Sequence, residues 1–239
     1  MSQHVDLWFG DSWTMGAEIA KYLPLPSGEH LPKSIFPNLS AIDRPDMAFP
    51  ALVSSNRQHQ FINFGCTSSS YDFALFSLIK FCKNNYVKNN KYTAFLCTTG
   101  QTRNFGINLL GQGKHYQLMP NQVKFIVDPA YAIYHTTNVL NLFYHICKQH
   151  NIQLVLIPVW CIFQAEPSIN MVPDQHWMMH DTITDHLFGG FPIDNHELSD
   201  TNKTVLAQIE QLDWVHPCLG HPNHESQSMI ADFIISKIQ

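Results

Sequence analysis

Two short motifs at opposite ends of the 239-residue chain carry side chains that could do covalent chemistry together. Near the start, the apolar run Val5-Asp6-Leu7-Trp8-Phe9 closes on Gly10-Asp11-Ser12. Such a run ended by glycine reads as a buried strand, and a serine directly after it stands exposed at the strand's exit, near backbone N–H groups. Near the end, His221-Pro222-Asn223 precedes an apolar-periodic segment with Met229, Ile230, Phe233 and Ile234. A hydroxyl is a weak nucleophile until a base removes its proton. Serine plus histidine is therefore the smallest unit for acyl transfer through a covalent intermediate. Taken alone, Gly-Asp-Ser has a plainer meaning, because serine is a favoured residue at helix starts.

The elements between the motifs decide whether the two can meet. Phe61 to Gly65, Tyr92 to Thr98 and Ile152 to Trp160 read as further buried strands. Between them lie helical patterns over Tyr71 to Asn84, with Phe73, Phe76, Leu78, Ile79 and Phe81 expected on one side, and over Ala130 to His150, with Val139, Leu140, Leu142, Phe143 and Ile146. A last helix is expected from Ser226 to Ile238. Short apolar strands alternating with amphipathic helices imply a parallel sheet covered on both faces, an α/β fold in three layers. Ligands of such sheets bind beyond the carboxyl ends of the strands, where Ser12 and His221 would share one edge. The whole of 1–239 reads as a single domain. Long loops are expected at about 23–56, 100–128 and 163–200, rich in Pro, Ser, Gly, Asn and His, and loops of that length usually serve function or partners.

Composition narrows the function classes. Apolar residues make up 45% and aromatic residues 12%, enough for a full core, which excludes disorder as the main state. Charged residues are only 14%, with a formal net charge of -5 and no basic run, so no nucleic-acid partner is expected. No apolar stretch is long enough to span a membrane. The first residues, Met1-Ser2-Gln3-His4-Val5-Asp6, have no basic start or apolar core of a signal peptide, so the expected location is the cytoplasm of the producing cell. The low charge points to a surface packed against partners, further copies of the chain or a virion. Six cysteines without a C-x-x-C pair, most of them inside apolar runs, read as reduced core thiols. No cofactor is expected.

Phe9-Gly10-Asp11-Ser12 together with His221-Pro222-Asn223 resembles the two end motifs of the SGNH (GDSL-type) hydrolases. Trp13-Thr14-Met15-Gly16-Ala17-Glu18 after the serine is similar to the form found among phage-encoded members. The resemblance implies a flavodoxin-like α/β/α sandwich around a parallel sheet of about five strands, and an esterase, lipase, thioesterase or carbohydrate deacetylase. It makes Ser12 the nucleophile and His221 the base. In the second block, within Asn63-Phe64-Gly65-Cys66-Thr67-Ser68, either Gly65 or the N–H of Ser68 would be an oxyanion donor beside the N–H of Ser12.

Two departures follow. Where the family has an oxyanion-binding Asn, this chain has Thr98-Thr99-Gly100-Gln101-Thr102-Arg103-Asn104. Gln101 can donate in its place, with Asn104 or Thr99 as substitutes. Losing one such donor costs about 3–4 kcal/mol of transition-state stabilisation. Where the family has Asp three residues before the histidine, this chain has Cys218. His221 is then oriented by a backbone carbonyl or a remote acid such as Asp213, or the site works as a Ser–His dyad.

Other signals have two readings each. His176 and His180, in His176-Trp177-Met178-Met179-His180, would share one face of a helix, a metal-ligand spacing. The plainer reading is a polar lid, and no metal is expected. His224 is an alternative base or the start of the last helix. Arg103 is a binder of a substrate carboxylate or sulfate, or a structural ion pair. Asp11 is an accessory of the site. Trp8, Trp13 and Trp160 are sugar-stacking or core residues.

The expected activity is hydrolysis of a short-acyl ester of a polar alcohol or carbohydrate, acetyl above all. The alternative is a structural or binding protein, such as a virion component, that keeps this fold with weak or no catalysis.

Overall fold

The computed structural model describes residues 2–16, 45–65, 69–98, 129–159, 165–189 and 221–238. Four strands, β1 (His4–Phe9), β2 (Gln60–Asn63), β3 (Lys91–Cys97) and β4 (Ile152–Ile157), form one sheet in the order β2-β1-β3-β4. Every pairing is parallel, with Leu7 opposite Ile62 and Ala94, and Ala94 opposite Leu154. The expectation of about five strands is met by four among the described residues.

Each strand alternates between two faces, and both faces are apolar. Val5, Leu7 and Phe9 of β1 join Tyr92, Ala94 and Leu96 of β3 and Ile152, Leu154 and Leu156 of β4 in one core. That core is covered by α3 (Tyr71–Asn84) and α4 (Pro129–Gln149). Trp8, Phe95, Cys97 and Ile157 point the other way, under α2 (Phe49–Asn56) and α6 (His224–Ile238). Trp8 stacks on Phe95 with ring centroids 4.1 Å apart. Its indole N–H donates to Ser54 Oγ at 2.9 Å, which satisfies a donor that is wholly buried. The three-layer arrangement expected from the sequence is present.

Several local expectations are corrected. The stretch read as a loop from 23 to 56 contains α2, which begins with Pro50 in its first turn and buries Phe49, Ala51 and Val53. Proline fits that first turn because the N–H it lacks has no helical partner there. The loop expected at 163–200 holds a 3-10 turn at Asp174–His176 and the short helix α5 (Ile183–Phe188). In α3 the buried stripe is Tyr71, Ala74, Leu78 and Phe81, at helical spacing, so Phe76 and Ile79 fall on the outer side and are exposed. Leu142 of α4 and Met229 of α6 are likewise exposed. Among the described residues, no helix is long and apolar enough to cross a membrane.

Candidate active site

The chain leaves β1 to α2 on one face of the sheet and leaves β3 to α4 on the other. The carboxyl ends of neighbouring strands β1 and β3 therefore flank a crevice where the winding reverses, the usual ligand position of such sheets. Ser12 stands at that place, as the first residue of the single-turn helix α1 (Ser12–Met15).

The turn from strand to α1 is held tightly. Asp11 caps it, its carboxylate accepting from the Trp13 N–H at 3.0 Å. Gly10 is required by space: a Cβ there would lie 2.1 Å from Thr14 Oγ1 and 3.0 Å from Cys97 Cβ. Gly16 ends the turn with φ of 76°, in the left-handed region that glycine occupies without strain. Below the turn, burial pushes the Cys97 thiol up to about 12. The Thr14 hydroxyl pulls it back and the Asp11 carboxylate adds to the rise. Cys97 is thus a neutral packing residue, not a nucleophile.

His221 arrives from the other end of the chain. Its Nε2 lies 2.9 Å from Ser12 Oγ. Asn223 positions it by capping α6, its side-chain oxygen accepting from Ser226 N–H at 3.0 Å and Ser226 Oγ at 2.9 Å. His224 is the first residue of α6, the second of the two readings of that residue. Gln227, one turn further on and almost fully buried, accepts from Phe49 N–H at 2.9 Å and donates to the Trp13 carbonyl at 3.3 Å. It ties α6 to both α1 and α2, and so fixes the base against the serine.

Ser12 is only 7% exposed, against the expectation of an open hydroxyl. Trp13 and Thr14 beside it are buried as well, and the Ser–His hydrogen bond is partly buried. Trp8 and Trp13 are core residues.

On the side of β2, Asn63 forms a clamp that no pattern in the sequence announced. It is buried, donates to the Thr14 carbonyl at 2.7 Å and accepts from the Gly65 N–H at 2.8 Å. A Cβ on Gly65 would lie 2.7 Å from Met15 N. Glycine there lets the β2 exit press against α1. Its N–H is engaged by Asn63, so an oxyanion would have to displace that bond to use it. The other sequence-derived positions of the site, Ser68, Thr99, Gln101, Arg103, Asn104, Asp213 and Cys218, lie outside the described residues, as does Trp160.

His176 lies in the 3-10 turn and Trp177 is extended, so His176 and His180 do not share an α-helical face. His176 Nδ1 donates instead to the Leu154 carbonyl at 3.1 Å. Among the described residues, no three His, Cys, Asp or Glu side chains gather as a metal site.

The chain is similar to solved structures of G-D-S-L-type lipolytic proteins and carbohydrate esterases. One is a carbohydrate esterase whose active site is described as having divergent catalytic and non-catalytic binding functions. It is 15% identical at a TM-score of 0.46, over 100% of this chain and 69% of that one. Another is a member of the lipolytic protein G-D-S-L family from Veillonella parvula, 10% identical at a TM-score of 0.42, over 98% and 97%. A third is the psychrotrophic esterase EstA from Pseudoalteromonas sp., 12% identical at a TM-score of 0.45, over 98% and 96%. No protein-family profile and no curated protein sequence matches the chain.

Proposed function

We propose that the protein is a serine ester hydrolase. The observation that carries this reading is the 2.9 Å contact between His221 Nε2 and Ser12 Oγ, at the sheet edge where the winding reverses. With Nε2 unprotonated, the Ser12 hydroxyl donates to it. Ser12 Oγ attacks the acyl carbonyl as its proton passes to His221. The tetrahedral intermediate collapses by breaking the bond to the alcohol oxygen, which takes the proton from His221. Water, deprotonated by the same imidazole, then releases the acid and restores Ser12. The N–H of Ser12 is one donor to the oxyanion, and Ser68 and Gln101 are the proposed partners. Because the Gly65 N–H already serves Asn63, Ser68 is favoured over Gly65 in that role.

The substrate class is a short-acyl ester, acetyl above all, of a sugar or other polar alcohol. The burial of Ser12 favours a small acyl group. The test is hydrolysis of nitrophenyl esters of increasing acyl length by wild type and Ser12→Ala. Fastest turnover of the acetyl ester, lost in Ser12→Ala, is expected. A preference for long chains contradicts the substrate class. Activity retained in Ser12→Ala contradicts the mechanism, and an inactive wild type favours a binding protein.

A further inference from the structure

Among the described residues, eight large apolar or aromatic side chains are left exposed, and five of them, Phe76, Ile79, Tyr131, Tyr134 and Leu142, lie on α3 and α4. Both helices return from the carboxyl end of the sheet on the same face, so they run in the same direction. One contact sets their relative level: Asp72 Oδ1 lies 3.0 Å from His135 Nε2. Seven residues beyond each of these, about two helical turns, stand Ile79 and Leu142. They therefore face each other across the outer groove between α3 and α4. Phe76 continues the surface one turn back on α3. Tyr131 and Tyr134 continue it on α4, where the Tyr131 ring lies at 17° to the plane of His135. The five side chains thus form one strip.

Each of the five keeps 46–59% of its surface exposed. For side chains of this size the strip amounts to on the order of 500 Å². A standard interface takes about 800 Å² from each partner, and in homodimers about 65% of that is apolar, again on the order of 500 Å². The strip therefore matches the apolar area that one protomer of a stable dimer contributes. Charge favours a second copy as well. The chain carries a formal charge of -5, which opposes self-association through an acidic face. However, α3 and α4 contain a single carboxylate, Asp72, and it is buried against His135. Lys80 and Lys83 are exposed on α3, with stems long enough to keep their charge at a polar rim.

We propose that this strip is the interface of a symmetric dimer, in which α3 and α4 of one protomer pack on the same two helices of a second copy. In such a contact one patch meets itself, so the assembly closes at two chains. It leaves the Ser12 site open on the other side, because α6, the helix that follows His221, packs on the opposite face of the sheet.

Sedimentation velocity over a concentration series up to about 100 µM tests it. The wild type is expected to sediment as two chains, with a dissociation constant in the micromolar range or below. Ile79→Glu/Leu142→Glu changes only exposed positions, so the fold is retained, and it should sediment as one chain at every concentration. Met229→Glu, an equally exposed position on α6, should remain dimeric. Hydroxyl-radical footprinting of the wild type needs no variant: Phe76, Tyr131, Tyr134 and Leu142 should be protected at high concentration and oxidised on dilution, with Met229 oxidised at both. A wild type that stays a single chain overturns the proposal and leaves the strip to a different protein. So does a dimer that survives the double variant, one that is lost in Met229→Glu, an open-ended series of larger species, or footprinting that does not change on dilution. None of these measurements involves an ester, so their outcome is separate from that of the Ser12 mechanism.

Discussion

Ser12 Oγ and His221 Nε2 are 2.9 Å apart although 209 residues separate them in the chain. The contact exists because β1 lies in the interior of the sheet and α6 packs back over the same face, with Gln227 bridging α6 to α1 and α2. A nucleophile and base that act as one unit have non-additive effects when removed. Ser12→Ala and His221→Ala are each expected to abolish ester turnover, and the double variant is expected to be no worse than either single one. Multiplied losses in steady-state rates would show that the two residues act independently.

The clamp at Asn63 should matter to both stability and rate. Asn63→Leu keeps the volume but leaves the Thr14 carbonyl and Gly65 N–H without their buried partner. The expected loss is about 1–3 kcal/mol in urea unfolding, with turnover falling because α1 is no longer fixed. Gly10→Ala should displace Thr14, since the new Cβ would lie 2.1 Å from its hydroxyl, and it should lower turnover more than Asn63→Leu. An Asn63→Leu protein with unchanged unfolding midpoint would refute the clamp.

These two positions also mark how far the sequence could be read. The strands, α3 and the Ser–His pairing were legible because apolar runs, helical spacing and the end motifs are local signals. Asn63 and Gln227 were not, because a buried amide is recognised only by what surrounds it. Helix α2 was hidden by Pro50 and by serines that suggest a linker, yet Phe49, Ala51 and Val53 are buried and Ser54 serves the Trp8 indole. The outer placement of Phe76 and Ile79 is not legible because apolar residues occur consecutively in α3, as in Phe73-Ala74-Leu75-Phe76 and Leu78-Ile79, and only packing against α4 selects the buried stripe.

Asp72 gives a pH signature. It is buried in the first turn of α3, with both carboxylate oxygens near His135 Nε2, at 3.0 and 3.2 Å. Burial holds its carboxyl above the ordinary value of 3.8, while the charge and hydrogen bond of His135 pull it back. Folding therefore favours the protonated form. The stability this group contributes is fully present below 3.8 and is lost as pH rises through the folded value. Asp72→Asn does not titrate. Between about pH 3 and pH 6, unfolding free energies should shift progressively in favour of the variant relative to wild type. A shift in favour of wild type over that range would mean that the His135 contact outweighs burial.

The central claim, an activated serine at the strand exit, is tested most directly by a fluorophosphonate probe with peptide mapping by mass spectrometry. Such a probe reacts with a serine only when a base and oxyanion donors assist it. The account predicts one adduct per chain, on Ser12, absent after unfolding and absent in His221→Ala. No adduct on the folded wild-type protein, or an adduct on a different residue with Ser12 unmodified, would contradict it.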